Sequence, residues 1–370
     1  MIALIKPRKN QYRIYFFFPF YHIGGAEKVH AQIAKVTGGK DCVIYFTKKS
    51  ESEGFLNEFK ESGCIIKDIS TFTDNKWMYF LNLIYRGIIS GYINKQTTKP
   101  IVFNGQCNFG YKISPWIIKD IKQVELIHSF NSFSYIRMPF LPFITTTVMI
   151  SRIRIQNHIE YYKKTGVPDV YIDKIKYISN AIELPIQKFE KTKESFTVLY
   201  AGRGSAEKRV PLIAAIANEM QAIGKDIRFE FLGDVSNVIS PAAYPFAHFY
   251  GNISQPEKVN KIFEKASVLI LTSTTEGFPM VVIEAMANAC AVIATPVGDI
   301  PLHIKNGETG FVFSSVEDEK KIKDEAIKIL IAWKQNPALL NSISNNAFQY
   351  ARNNFGINQF NELYRQVLKY

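Results

Sequence analysis

The chain reads as an α/β protein of two doubly wound, parallel-sheet domains, on three observations. Short β-rich apolar runs alternate with longer stretches of helical period. The alternation halts in a polar, aperiodic stretch near the middle of the sequence and then begins again. The length of 370 residues, 47% of them hydrophobic and 21% charged, suits two globular domains of ordinary size.

Strands are expected in the first half over residues 13–19, 41–46, 65–69, 101–104, 124–127, 145–150 and 175–178, with helices such as 26–36, 55–61 and 153–163 between them. In the second half the expected strands are 196–201, 227–232, 248–250, 268–271, 291–294 and 310–313, and the helices 211–223, 256–265, 280–288 and 317–333. Residues 182–195, with Pro185 and a charge-rich run from Lys188 to Glu194, form the linker candidate. Two such domains joined by a hinge are expected to face a ligand cleft with the carboxyl ends of their strands.

The four cysteines, Cys42, Cys64, Cys107 and Cys290, never fall at C-x-x-C spacing, which argues against a zinc site or a disulfide framework and fits a reducing cytosol. The apolar run at the N-terminus is too short for a signal peptide. Residues 77–93 are the longest apolar stretch, interrupted by Asn82, Arg86 and two glycines. They predict a buried helix rather than a membrane span, which needs about 20 mostly apolar residues. The formal charge of +12 predicts an anionic partner: lipid, nucleic acid or a diphosphate. The basic residues are spread over many elements with no recognition motif, so nucleic acid is set aside.

Four segments carry chemistry. In Thr272 to Glu284 a buried strand ends in a polar loop, Gly277 permits a sharp turn, and Pro279 suits the first helical position, where its missing N–H costs nothing. The backbone donors of the helix start make an anion site, with Glu276 just before the helix and Glu284 inside it. At about 1.5 Å per residue, Glu284 lies roughly 7.5 Å along the axis from Pro279. If phosphates sit at the helix end, the two carboxylates become hydroxyl acceptors at opposite ends of one elongated ligand, Glu284 for a ribose and Glu276 for a sugar. Taken alone, the glutamates read sooner as a helix cap, Glu276, and a solvated helix face, Glu284; the Gly-Phe-Pro between them puts the ligand reading ahead.

The segment Tyr200 to Pro211 repeats the pattern of strand, glycine turn and helix start, with Arg203 at the strand end and Lys208 near the helix. A guanidinium and an ammonium stabilise a departing diphosphate without a metal, although a basic turn is common in so cationic a chain. The segment Phe20 to His30 holds the pair Gly24 and Gly25, which lets backbone N–H groups approach a ligand, or simply makes a tight turn. It is neither a dinucleotide fingerprint nor a P-loop. His128 closes a strand, where open α/β sheets place their sites, and His22 and His30 flank the glycine pair.

Together these segments resemble family 4 of the retaining GT-B glycosyltransferases, nearly from end to end. Gly-Gly-Ala-Glu at 24–27, Ile178 to Glu183, Gly202 to Lys208, the Glu-x7-Glu of Glu276 and Glu284, and Val297 to Phe311 match the family's motifs in order. Arg209 departs from the pattern, standing where the family commonly has glycine, and so does Ala181.

The resemblance implies a GT-B fold: two Rossmann-like domains facing each other across a cleft. They comprise an acceptor-side domain of residues 1–182, a linker of 183–195 and a nucleotide-sugar domain of 196–348, with residues 349–370 returning to the first. It implies retention of anomeric configuration, Arg203 and Lys208 on the diphosphate, Glu284 on the ribose, and Glu276 with nearby backbone amides on the sugar. His128 would touch the sugar from the other domain. The expected catalytic set is thus Glu276, His128, Arg203 and Lys208. The donor-binding set is Gly24, Gly25, Arg203, Lys208, Glu276, Gly277, Phe278, Pro279, Met280, Val281 and Glu284.

No cofactor or metal is expected. The donor is a nucleotide-diphosphate-sugar, UDP-sugar before GDP-sugar, and the acceptor a glycan or lipid-linked sugar. Rival readings are an epimerase or phosphorylase of the same fold, a non-catalytic sugar-binding homologue and a basic nucleic-acid-binding protein. A cytoplasmic location is expected, peripheral on an anionic membrane surface. Lys6, Arg8, Lys9 and Arg13, with the aromatic segment Phe133 to Phe143 around Arg137, motivate the membrane reading; the alternative is that these aromatics line the acceptor cleft or fill the core.

Overall fold

A computed structural model describes residues 10–75, 77, 79–130, 132–184, 195–224 and 226–369. The chain divides into two compact units, Met1–Ser179 with Asn358–Tyr370, and Asn180–Ile357.

The first unit is built on a seven-stranded sheet of order β3-β2-β1-β4-β5-β6-β7. Its strands are β1 Ile14–Phe18, β2 Cys42–Phe46, β3 Ile65–Asp68, β4 Ile101–Asn104, β5 Lys122–Ile127, β6 Thr146–Met149 and β7 Ile175–Tyr177. The central pairings are parallel, with Ile14 opposite both Cys42 and Ile101. Every residue of β1, Ile-Tyr-Phe-Phe-Phe, is buried, as a strand covered on both faces requires.

The second unit holds a six-stranded sheet of order β10-β9-β8-β11-β12-β13. Its strands are β8 Thr197–Ala201, β9 Arg228–Leu232, β10 His248–Gly251, β11 Val268–Leu271, β12 Ala291–Ala294 and β13 Gly310–Val312. Both sheets reverse their winding beside their first strand, at β1/β4 and at β8/β11. Each therefore has the switch point at which doubly wound proteins bind ligands.

The longer helices are α1 Gly25–Thr37, α2 Tyr79–Asn94, α3 Arg152–Lys164, α4 Val210–Ala222, α5 Pro256–Lys265, α6 Met280–Ala287, α7 Glu319–Gln335, α8 Pro337–Asn354 and α9 Ile357–Val367. The strands fall within two residues of the sequence expectation.

The division of the chain lies elsewhere than expected. Helix α8 continues to Asn354, and Ile182 bridges to Gly356 inside the second unit. Residues 349–357 therefore belong to the second unit, and the chain joins the first only from Asn358, within α9, where Tyr364 meets Phe103 at 6.4 Å. Of the linker candidate, residues 185–194 lie outside the described residues, as do Lys6, Arg8 and Lys9 at the start.

Two further expectations change. Residues 77–93 are not a buried helix, because Trp77, Phe80, Leu83 and Ile84 are exposed. Arg137 is fully buried against Glu125 rather than offered to lipid. The four cysteines are free and buried.

Helix α6 ends in a left-handed residue, Ala289, with φ 48°. Cys290 N donates to Ala285 O at 2.8 Å and Ala289 N to Met286 O at 3.0 Å. This is a helix stop that favours glycine, since a Cβ in that conformation costs about 1 kcal/mol or more. Ala289→Gly is expected to stabilise the second unit by about 1 kcal/mol, read as a rise of about 2–4 °C in its unfolding midpoint. A lower midpoint would mean that the buried methyl outweighs the backbone strain.

Candidate active site

The loops that leave β8 and β11 flank the switch point of the second sheet. After β8 comes Arg203, which is exposed and whose carbonyl accepts from the Tyr200 hydroxyl at 2.7 Å. A single turn, Ala206–Lys208, leads to Arg209, which is left-handed at φ 48°. That conformation explains why glycine suits this position. Here the arginine side chain compensates, its Nε donating to Thr272 O at 2.6 Å.

The two loops are joined further. Thr272 Oγ1 donates to the carbonyls of Lys208 and Arg209, both at 3.1 Å, and Thr274 N donates to Glu207 O at 2.8 Å. These bonds fix residues far apart in sequence, and the result is a contact of 2.5 Å between Lys208 Nζ and Glu276 Oε1. The two side chains are only 21% and 10% exposed, so water screens the pair weakly.

The turn carrying Glu276 is held by a close backbone approach. Gly298, at φ +54°, lies where a Cβ would stand 2.0 Å from Gly277 O, and Asp299 N donates to that same carbonyl at 2.8 Å. Phe278 turns inward. It is 2% exposed, with its ring 4.4 Å from His303 and 5.2 Å from Phe355, and its carbonyl accepts from Asn180 Nδ2 at 3.0 Å. Its side chain thus anchors the turn to the core.

Pro279 is the N-cap rather than the first helical residue, and α6 starts at Met280. Val282 N donates back to Pro279 O at 3.1 Å. The N–H groups of Met280 and Val281 have no acceptor within the helix, which is the property that makes helix starts bind anions. Glu284 is on the buried side of α6, 9% exposed, so it is not a solvated face. Arg203, Lys208, Glu276, Gly277, Met280 and Val281 thus gather at the carboxyl edge of one sheet.

In the first unit the glycine turn is not an open anion cradle. Gly24 is extended, at φ −175°, a conformation open to any residue. Its missing side chain makes room for Glu27, whose Oε2 would stand 2.2 Å from a Cβ there. His22 Nε2 lies 3.8 Å from the same carboxylate. A carboxylate over the turn disfavours a phosphate and offers an acceptor to a hydroxyl.

His128 follows β5, its backbone N–H donating to Gln106 Oε1 at 3.2 Å; Gln106 is itself left-handed at φ 58°. The His128 ring meets the His30 ring, Nε2 to Nε2, at 3.0 Å, so one of the two nitrogens carries the shared proton. His30 Nδ1 is buried without a hydrogen-bond partner, and an orphaned lone pair there costs less than an orphaned N–H. The assignment is therefore Nε2–H on His30 and Nδ1–H on His128. Burial pushes His128 down to about 4, and burial with the neighbouring ring pushes His30 well below its ordinary value. Both rings are neutral at pH 7. The sequence marks His30 only as a neighbour of the glycines, and nothing in it marks Gln106 or Thr272. Among the described residues, no three His, Cys, Asp or Glu side chains gather to hold a metal ion.

The model of the family of glycosyl transferases group 1 matches residues 182–350. N-acetyl-alpha-D-glucosaminyl L-malate synthase of Bacillus anthracis is 26% identical over 117 residues, 32% of this chain and 30% of that protein. The lipopolysaccharide core biosynthesis mannosyltransferase LpcC of Rhizobium leguminosarum bv. viciae is 28% identical over 163 residues, 44% of this chain and 38% of that protein. The chain thus spans about a third of the length of these two curated relatives. Over the whole fold, the crystal structure of Anabaena HepE in complex with UDP and glucose superposes with a TM-score of 0.76. The identity is 15%, covering 97% of this chain and 99% of that one.

Proposed function

Residues 182–350 belong to the glycosyl transferases group 1 family, and from this premise we propose that the chain is a retaining, metal-independent glycosyltransferase using a nucleotide-diphosphate-sugar. The observation that carries the reading is the Lys208–Glu276 contact of 2.5 Å at a sheet switch point, beside the start of α6. A cation, a carboxylate and unpaired backbone donors are what a sugar diphosphate needs, and two loops remote in sequence are tied together to supply them.

In this reading Arg203, Lys208 and the N–H groups of Met280 and Val281 hold the diphosphate. Glu276 accepts from a sugar hydroxyl, Glu284 from the ribose, and His128 donates through Nδ1 to a substrate hydroxyl. The bond between the anomeric carbon and the phosphate oxygen breaks while the acceptor oxygen bonds on the same face, its proton passing to the departing phosphate. Positive charge held against that phosphate stabilises the developing anion. UDP is the favoured leaving group, a choice supported by the complex in which HepE was solved. A glycan or lipid-linked hydroxyl is the acceptor, in assembly of a bacterial surface polysaccharide or glycoconjugate, in keeping with the part of LpcC in lipopolysaccharide core biosynthesis.

The test is a thermal-shift series with UDP and GDP, followed by turnover of the matching sugar donors in excess EDTA. UDP is expected to raise the midpoint, Lys208→Ala to remove most of that shift, and turnover to survive chelation. Equal shifts in wild type and Lys208→Ala would reject the site. Loss of turnover restored by magnesium or manganese would reject the metal-independent mechanism.

A further inference from the structure

Helix α2, Tyr79–Asn94, is amphipathic the wrong way round for a soluble surface. Its polar residues Asn82, Arg86 and Ser90, spaced by four, are 9%, 8% and 4% exposed. They spend their hydrogen bonds locally. Asn82 Nδ2 donates to Thr73 O at 2.9 Å, Arg86 Nε to Asn82 Oδ1 at 2.8 Å, and Ser90 Oγ to Gly87 O at 3.2 Å.

The opposite face is Phe80, Leu83, Ile84 and Gly87, at helical spacing. Phe80 is 63% exposed, Leu83 50% and Ile84 44%, and Trp77 just ahead of the helix is 94% exposed. A second segment extends this face. Trp116 lies against Gly87, its ring 3.3 Å from where a Cβ would stand. Asn94 clasps the same segment, donating to Trp116 O at 2.9 Å and accepting from Ile118 N at 3.1 Å. Trp116 and Ile118 are themselves exposed, so this one patch holds six of the twelve exposed large hydrophobic residues among those described. Such concentration marks an interaction site, since singly scattered apolar residues need no partner.

Charge identifies the partner. The first unit carries 27 basic and 14 acidic residues, the second 18 and 19, so the whole positive excess of the chain belongs to the unit that bears α2. Lys95, just past the helix, and Lys119, just past Ile118, are exposed beside the patch. A second copy would bring like charges together. A protein partner would find no side-chain hydrogen-bonding group on the exposed face of Phe80, Leu83, Ile84 and Gly87, whereas protein interfaces carry about one hydrogen bond per 100–200 Å². Among the described residues no helix is long and apolar enough to cross a membrane.

We propose that the outward face of α2, with Trp77, Trp116 and Ile118, docks the first unit into the surface of an anionic lipid bilayer. The tryptophans and Phe80 enter the boundary between headgroups and acyl chains, and the lysines meet the lipid phosphates. Helix α2 lies along the surface and does not span it. This surface replaces the segment around Arg137 that the sequence suggested.

The experiment is co-sedimentation of the full chain with vesicles of phosphatidylcholine alone, or of phosphatidylcholine with phosphatidylglycerol, at low and high salt. Wild type is expected to bind the anionic vesicles at least tenfold more tightly, to weaken as salt screens the lysines, and to shift its tryptophan fluorescence to the blue. The double variant F80E/L83E changes only outward side chains, so it is expected to keep the wild-type circular dichroism while losing vesicle binding more than tenfold. Wild-type failure to bind anionic vesicles at low salt would overturn the proposal. So would undiminished binding by F80E/L83E, which would leave bulk charge as the cause. A dimer seen by sedimentation velocity in wild type and abolished in F80E/L83E would assign the face to a second copy instead. The UDP thermal shift is read separately, so failure of the donor site and failure of this surface are distinguishable.

Discussion

Arg137→Met is expected to destabilise the first unit by about 3–5 kcal/mol, the largest stability effect in the chain, because it strands a carboxylate in the core. Arg137 and Glu125 are both fully buried and paired, with Arg137 Nε donating to Glu125 Oε2 at 2.9 Å. Thr147 Oγ1 adds a bond to Glu125 Oε1 at 2.6 Å, and the Tyr162 hydroxyl meets the guanidinium.

Burial by itself would raise the Glu125 carboxyl, but the Arg137 charge and these hydrogen bonds outweigh it and hold the group below the usual carboxylate range. A depressed carboxyl contributes its stability above the unfolded value of about 4.3 and loses it as pH falls through the folded value. The gap between wild type and the double variant E125L/R137M should therefore narrow in acid. Urea unfolding at pH 7 and pH 3, followed by circular dichroism, measures both effects. The double variant should be far closer to wild type than Arg137→Met at pH 7, because removing both charges leaves none unpaired. Equal losses in the single and double variants would show that the site matters for shape rather than charge.

Glu276→Gln is expected to lower kcat about 100-fold on the complete sugar donor while leaving UDP binding within a few-fold of wild type. Lys208 Nζ donates to Glu276 Oε1 at 2.5 Å. In the proposed mechanism that lysine turns to the diphosphate while the carboxylate stays with the sugar. The glutamine keeps the shape and loses the charge, so the loss should appear in turnover and not in nucleotide affinity. Single-turnover kinetics beside UDP titration separate the two. A tenfold or greater loss of UDP affinity with kcat preserved would place Glu276 on the nucleotide.

The sheets were legible in the sequence because a parallel strand buried on both faces must be a continuous apolar run, as Ile14–Phe18 and Val268–Leu271 are. The helix that follows β11 was legible because Gly277 and Pro279 punctuate its start. The direction of the Phe278 ring was not legible. A phenylalanine in a glycine-proline turn gives no sign of which way it faces, and only packing against His303 and Phe355 decides that. The sequence leaves Arg137 open for a related reason: a basic residue among aromatics reads as a surface anchor or as core until Glu125, twelve residues away, is folded against it. Helix α2 defeated the pattern entirely, since an apolar run interrupted by Asn82 and Arg86 reads as core, and its inversion appears only when those polar groups are seen turned inward.

The sequence by itself determined the alternation of strand and helix, the restart of that alternation in a second domain, and the residue types available at the end of each strand. These are local properties, set by periodicity and by glycine and proline, and they survive without knowledge of any distant neighbour. The tertiary structure decided which of those residues meet. It set Lys208 against Glu276, His30 against His128 and Arg137 against Glu125, and it turned the apolar face of α2 outward. Each outcome depends on strand order and on bonds between loops far apart in the chain, where the energy of a contact is fixed by burial and distance rather than by spacing in sequence.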